Sequence, residues 1–230
     1  MDGDITMPNL ISKDLYDETI AFIEGKKEPG LLLKEMQNWY SERGVILYNL
    51  YFEKDIYKNH DTYGKYNICI LSDLFEGFFR HGSKKSIYKD SLDKFLQVCK
   101  SNHLYQDYEW ANISYPKPGI SGFYFPRIWR DEVIREAGLS LCPEIEKKYA
   151  EYGVAKVVNS GYGVYTVFFR DAALDDKYDN YQSEIINYVK EYVLNFDKHH
   201  LIAELDRIVQ FDRLSVLEEV YQGNLYYYYK

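Results

Sequence analysis

The sequence predicts an α+β protein, a small and mainly antiparallel sheet packed against several helices, with a helical C-terminal third. Three observations lead there. Apolar residues recur at helical spacing in several separate stretches, and two runs rich in β-branched and aromatic residues flank Ser160-Gly161-Tyr162-Gly163 as a hairpin would. The regular alternation of strand and crossover helix that a wound parallel sheet needs is missing. At 230 residues the chain is long enough to bury a substantial core without disulfides.

Residues 1–10 read as a short leader. From Ile11 to Glu24 the residues Ile11, Leu15, Phe22 and Ile23 share a helical face that Thr19 interrupts, and Gly25 offers a stop. Pro29 opens a second helix through Leu32, Leu33, Met36 and Trp39-Tyr40 to Gly44, after which Val45–Phe52 reads as a strand. Residues 54–65 carry loop chemistry, and Tyr66–Leu71 fits either a short strand or a helix start. Ser86–Lys100 places Leu92, Phe95, Leu96 and Cys99 on one helical stripe with most lysines elsewhere.

Ala111–Tyr115 reads as a strand, Pro116–Gly119 as a rigid turn, and Phe123-Tyr124-Phe125 as a second short apolar run. A helix is predicted over Ile128–Ala137 with Gly138 ending it, and another from Pro143 through Tyr152 with Gly153 ending it. The hairpin Val154–Asn159 and Val164–Arg170 follows. In the C-terminal third, Ile185, Tyr188, Val189, Tyr192, Val193 and Phe196 form one stripe. Leu201, Leu205, Ile208 and Val209 begin another, predicted to run on toward Gly223. The tail Leu225–Tyr229 suits an edge strand or a partner contact. No internal repeat is apparent, and a single domain over 1–230 is expected, with a soft boundary near 102–122.

Composition excludes several classes. No apolar run approaches the roughly 20 residues of a membrane helix, and the acidic start Met1-Asp2-Gly3-Asp4 lacks a signal peptide's basic region, so a cytoplasmic location is expected. Cys69, Cys99 and Cys142 are too widely spaced for a metal or disulfide framework and read as buried apolar groups. The net charge of -8 gathers late in the chain, with twelve acidic against five basic residues in 171–220. Nucleic acid is an unfavoured partner for such a surface, despite the lysines of 80–100.

No familiar chemistry emerges. There is no phosphate loop, no GxGxxG, no HExxH and no GxSxG elbow, and neither metal nor cofactor is expected. His199-His200 reads as a helix-end or surface pair. An enzyme reading rests on the 116–126 loop, with Arg127 and Arg130 positioning an anionic substrate, Tyr124 touching it, and Ser121 or His103 serving in attack or proton transfer. A binding reading rests on 25 tyrosines and the acidic C-terminal third. Tyrosine supplies rigid contact area with a hydrogen bond, and carboxylates steer a basic partner. The expected function is therefore a non-catalytic protein-binding or inhibitory one, neutralising a basic enzyme or toxin. Asp171, Asp175, Asp176, Asp179, Tyr178 and Tyr181 form the expected contact surface. An assembly protein that self-associates through the tyrosine tail is the third reading.

Overall fold

The computed structural model describes residues 11–54, 66–74, 85–105, 119–160, 163–170, 178–203 and 205–230, with the backbone alone at 53–54, 66–67, 85–89, 119 and 178–180. The chain is α+β as expected, and its strands divide between two three-stranded mixed sheets. It separates into two compact units, Ile11–Phe125 and Pro126–Lys230.

The first unit runs α1 (Lys13–Ile23), α2 (Leu31–Ser41), β1 (Leu47–Lys54), β2 (Tyr66–Ser72), α3 (Lys85–Ser101) and β3 (Gly119–Tyr124). Ser12 caps α1 by accepting the Leu15 N–H at 3.3 Å. Thr19, the polar interruption of the α1 stripe, is buried. Its hydroxyl donates to the Leu15 carbonyl at 2.7 Å and accepts from Asn49 Nδ2 at 3.0 Å, so the helix is tied to β1. The ambiguous Tyr66–Leu71 run is the central strand β2, antiparallel to β1 and parallel to β3. Ile68 and Ile70 pack with Leu32, Leu33, Met36 and Phe95 in a core that also holds Tyr40.

The second unit runs α4 (Phe125–Lys148, begun on the last residue of the first), a 3₁₀ turn (Ala150–Tyr152), β4 (Val154–Asn159), β5 (Tyr165–Phe169), α5 (Tyr178–Phe196) and β6 (Val209–Arg213). It closes with a π turn (Val216–Val220) and α6 (Leu225–Tyr228). Here β5 is the central strand, antiparallel to β4 and parallel to β6, with all five of its residues buried. The expected hairpin is present.

Three expectations are corrected. Gly138 does not end a helix, because α4 runs unbroken through it. A Cβ there would lie 2.5 Å from Asn159 Nδ2 and 3.1 Å from the Tyr165 ring, so this glycine admits β4 and β5 to the helix surface. Pro143 likewise sits inside α4 rather than opening a new helix, on an exposed turn where the carbonyl it leaves unpaired can be solvated. Finally, the stripe expected over 201–223 is not a long helix. His200 and Arg207 adopt left-handed φ of 52° and 60°, and Val209–Arg213 pairs alongside β5. The run 111–115 lies outside the described residues.

The two units also overturn the expectation that the chain holds no repeat. Each contains helical segments, an antiparallel hairpin, a further helix and a strand returning parallel to the hairpin's second strand. The helix-to-hairpin corners correspond residue by residue: Glu35, Met36, Tyr40, Gly44 and Val45 match Glu144, Ile145, Tyr149, Gly153 and Val154. In both corners the tyrosine is fully buried, and its carbonyl accepts the valine N–H, at 3.1 Å from Val45 and 3.2 Å from Val154. The intervening glycine takes a left-handed φ, 69° at Gly44 and 93° at Gly153. Both tyrosines then reach the following helix. The Tyr40 hydroxyl shares a hydrogen bond of 2.7 Å with Ser91 in α3, and the Tyr149 hydroxyl donates to Glu184 in α5 at 3.1 Å.

The corner residues carry a stability expectation. Met36→Ala and Ile145→Ala each empty a fully packed position and are expected to cost about 2–5 kcal/mol. Leu31→Ala, at a half-exposed site, should change stability by less than ~0.5 kcal/mol. Urea unfolding of the full chain measures both; equal costs at all three positions would contradict this core.

Candidate functional site

The sequence-derived candidates fall in different places. Asp171, Asp175 and Asp176 lie outside the described residues, and Tyr178 and Asp179 enter only as the backbone of the first turn of α5. Ser121 stands mid-strand in β3 opposite Cys69, so this part of the segment read as a 116–126 loop belongs to the sheet. Tyr124 ends that strand, and His103 is exposed in the turn after α3 with φ 55°. Arg127 and Arg130 belong to the other unit, in the first turns of α4. Arg127 is exposed, whereas Arg130 donates from Nε at 2.9 Å and Nη2 at 2.7 Å to Asp131 Oδ1. An anion would have to compete with that neighbouring carboxylate.

Tyr181 leads to a more coherent feature. Its ring stacks on Tyr152 with centroids 4.2 Å apart and planes at 29°. Tyr152 lies 6.2 Å from Tyr149, which is 6.3 Å from Tyr188. Tyr188 lies 6.2 Å from Tyr192, and Tyr192 stacks on Phe196 at 5.6 Å. The rings form one continuous ladder along the C-terminal half of α4 and along α5. Separations of 4–7 Å are those at which aromatic pairs attract through offset or edge-on geometry.

Hydroxyl bonds fix the ladder between the helices. Tyr149 donates to Glu184, Tyr188 to Glu144, and Tyr192 to Ser140 at 3.0 Å. These three tyrosines are thereby held at both ends, ring against ring and hydroxyl to the neighbouring segment. A cation already rests on this face, with the Lys148 ammonium 3.7 Å from the centre of the Tyr188 ring and 5.0 Å from that of Tyr149. Glu144, Glu151, Glu184 and Glu191 are exposed around the rings, as are Lys147 and Lys148. Tyr152 is 43% exposed, so ring area remains open to solvent.

The tyrosine-rich tail is engaged within its own unit. Asn224 caps α6, the Tyr228 hydroxyl donates to Asp212 at 2.7 Å, and Tyr229 bonds Thr166 at 2.5 Å, while Tyr228 packs edge-on against Phe168. Only Tyr226 and Tyr227 of the tail project strongly into solvent. The cysteines behave as packing groups: burial raises the Cys99 thiol to about 11, and burial with the nearby Glu146 raises Cys142 to about 12. His199 packs its ring 4.9 Å from Trp129, whose indole N–H donates to buried Asp197 at 2.7 Å. Asp197 also accepts the N–H groups of Leu201 and Ile202, so this cluster terminates α5.

Among the described residues no group of three or more His, Cys, Asp or Glu is placed to hold a metal ion, and no helix is long and apolar enough to cross a membrane. No protein-family model matches the chain, and comparison with curated proteins and with solved structures finds no match either.

Sequence periodicity contained part of the ladder, since Tyr181, Tyr188 and Tyr192 are seven and four positions apart and share a helical face. Tyr149 and Tyr152 come from the turn that follows α4, and only the fold brings them in.

The packed tyrosines of both units carry a pH signature. Burial and the Glu144 carboxylate raise Tyr188 to about 12, and burial does the same for Tyr40. An unfolded tyrosine ionises near ~10, so the stability these groups contribute is complete below that pH and is lost as pH rises through the folded value. The melting temperature is expected to fall between pH ~10 and ~12, with native tyrosinate absorbance lagging behind that of the urea-unfolded chain. Coincident titration of the folded and unfolded chains would refute the assignment.

Proposed function

We propose that the protein is a non-catalytic binding protein that engages a basic partner protein through the tyrosine and carboxylate face of α4 and α5, in the manner of an inhibitor that covers its target. The observation that carries this reading is the held ring ladder. Three of its tyrosines, Tyr149, Tyr188 and Tyr192, have spent their hydroxyls on Glu184, Glu144 and Ser140, and the ladder still presents ring surface beside exposed carboxylates. Rings fixed in advance lose little conformational entropy on binding, and tyrosine is enriched among the residues that dominate interface energetics. Lysine or arginine side chains of a partner would meet both π faces and carboxylates there, as Lys148 does within the chain.

Affinity capture on the immobilised full chain tests the proposal. At low ionic strength a basic protein should be retained at one-to-one stoichiometry and released as salt rises, and Glu151→Gln with Glu191→Gln should weaken retention about 3–10-fold, chiefly through slower association. Retention of nothing basic, or retention indifferent to salt and to both substitutions, would reject it.

A further inference from the structure

The first unit supplies an internal control for the second, because it builds the same helix pair from different surface residues. The correspondence extends from the corner into the following helix. Ser91, Phe95 and Cys99 of α3 are buried at the places taken by Ile185, Val189 and Val193 of α5. Residues 90, 93, 97, 100 and 101 are exposed, as are 184, 187, 191, 194 and 195. In this register Tyr188 corresponds to Lys94, Tyr192 to Val98 and, from the corner, Tyr152 to Arg43.

The contacts agree. Glu35 and Glu144 occupy one position, and each bridges to the neighbouring helix, Glu35 through a 4.0 Å ion pair with Lys94 and Glu144 through the Tyr188 hydroxyl. The bridge survives when tyrosine is replaced by lysine. At the adjacent position, buried Val98 closes the helix pair that Tyr192 closes in the second unit. Arg43 lies on the Trp39 ring at 3.7 Å, where Tyr152 instead continues a stack of rings. By contrast, the buried residues of the corner, Tyr40 and Tyr149 foremost, are kept in both units.

From this we infer that Tyr152, Tyr188 and Tyr192 are recognition residues that the fold itself does not require, and that together they form the contact surface for a lysine- or arginine-rich segment of a protein partner. The inference rests on the proposed binding function for its occupant, and on the two units alone for its separation of fold from surface. Charge and chemistry select the occupant: exposed Glu144, Glu151, Glu184 and Glu191 outnumber exposed Lys147 and Lys148 around the rings, and an ammonium group already lies on one of them.

The test transplants the first unit's residues into the second, as Tyr152→Arg, Tyr188→Lys and Tyr192→Val in the full chain. A charge-matched control carries Tyr226→Arg and Tyr227→Lys on the exposed tail. Both variants should melt within about 4 °C of the parent, and only the graft should lose affinity for fluorescent poly-L-lysine, by ~10-fold or more beyond the control. A graft that melts more than ~10 °C lower would make these tyrosines structural and overturn the inference. A graft that does not fold would overturn it on the same ground, and Tyr152→Arg alone, at the most exposed position, must also lose poly-L-lysine affinity relative to the control. A folded graft that binds poly-L-lysine as the control does would overturn it equally. If the graft behaves as expected but affinity capture retains no basic protein, the surface assignment stands and the proposed function falls.

Discussion

The structure depends on one corner, used twice. At the end of α2, and again after α4, a tyrosine is buried to the ring while its backbone carbonyl receives the N–H of a valine five residues on. A left-handed glycine makes that return possible, because a side chain at this φ would be strained. The tyrosine hydroxyl then reaches into the next helix, to Ser91 in one unit and Glu184 in the other. Three elements are thereby registered by one residue: the helix it ends, the strand it starts, and the helix that covers the sheet. A buried hydroxyl without a partner would cost about 1–3 kcal/mol, so the polar end of each tyrosine constrains the third element as firmly as its ring constrains the core.

Much of this fold could be read from the sequence, and the failures have physical causes. The stripes of α1, α2 and α3 and the hairpin of β4 and β5 were legible because burial on one face imposes a period. Gly138 misled because glycine both stops helices and admits close neighbours, and only the packing of Asn159 and Tyr165 against it distinguishes the two. Ile208 and Val209 suited a helical stripe as well as a strand, and the left-handed backbone at Arg207 decides between them. The repeat is hard to read in the sequence because its signature is short. Tyr40, Gly44 and Val45 recur as Tyr149, Gly153 and Val154, while the surrounding surface has diverged and the amino-terminal helical segment is separate in one unit and continuous in the other.

The candidate surface was legible only in part. Acidity after Asp171 and the abundance of tyrosine singled out the C-terminal third, and Tyr181 joins the ladder. Composition could not separate tyrosines that build the core from those that face solvent. Tyr40, Tyr149 and Tyr165 are fully buried, Tyr228 and Tyr229 fasten the tail, and Tyr152, Tyr181, Tyr188 and Tyr192 line a face. Setting one unit against the other makes the same division on independent grounds, since the shared tyrosine is the buried one.

The two corners are equivalent structural elements, each anchoring its own unit. Native-state hydrogen exchange on the full chain tests this most directly, read at the amides of Val45 and Val154. Both should fall among the slowest-exchanging protons of their units, since each is bonded to a buried tyrosine carbonyl. Rapid exchange at either valine, comparable with the exposed turns beside it, would contradict the account.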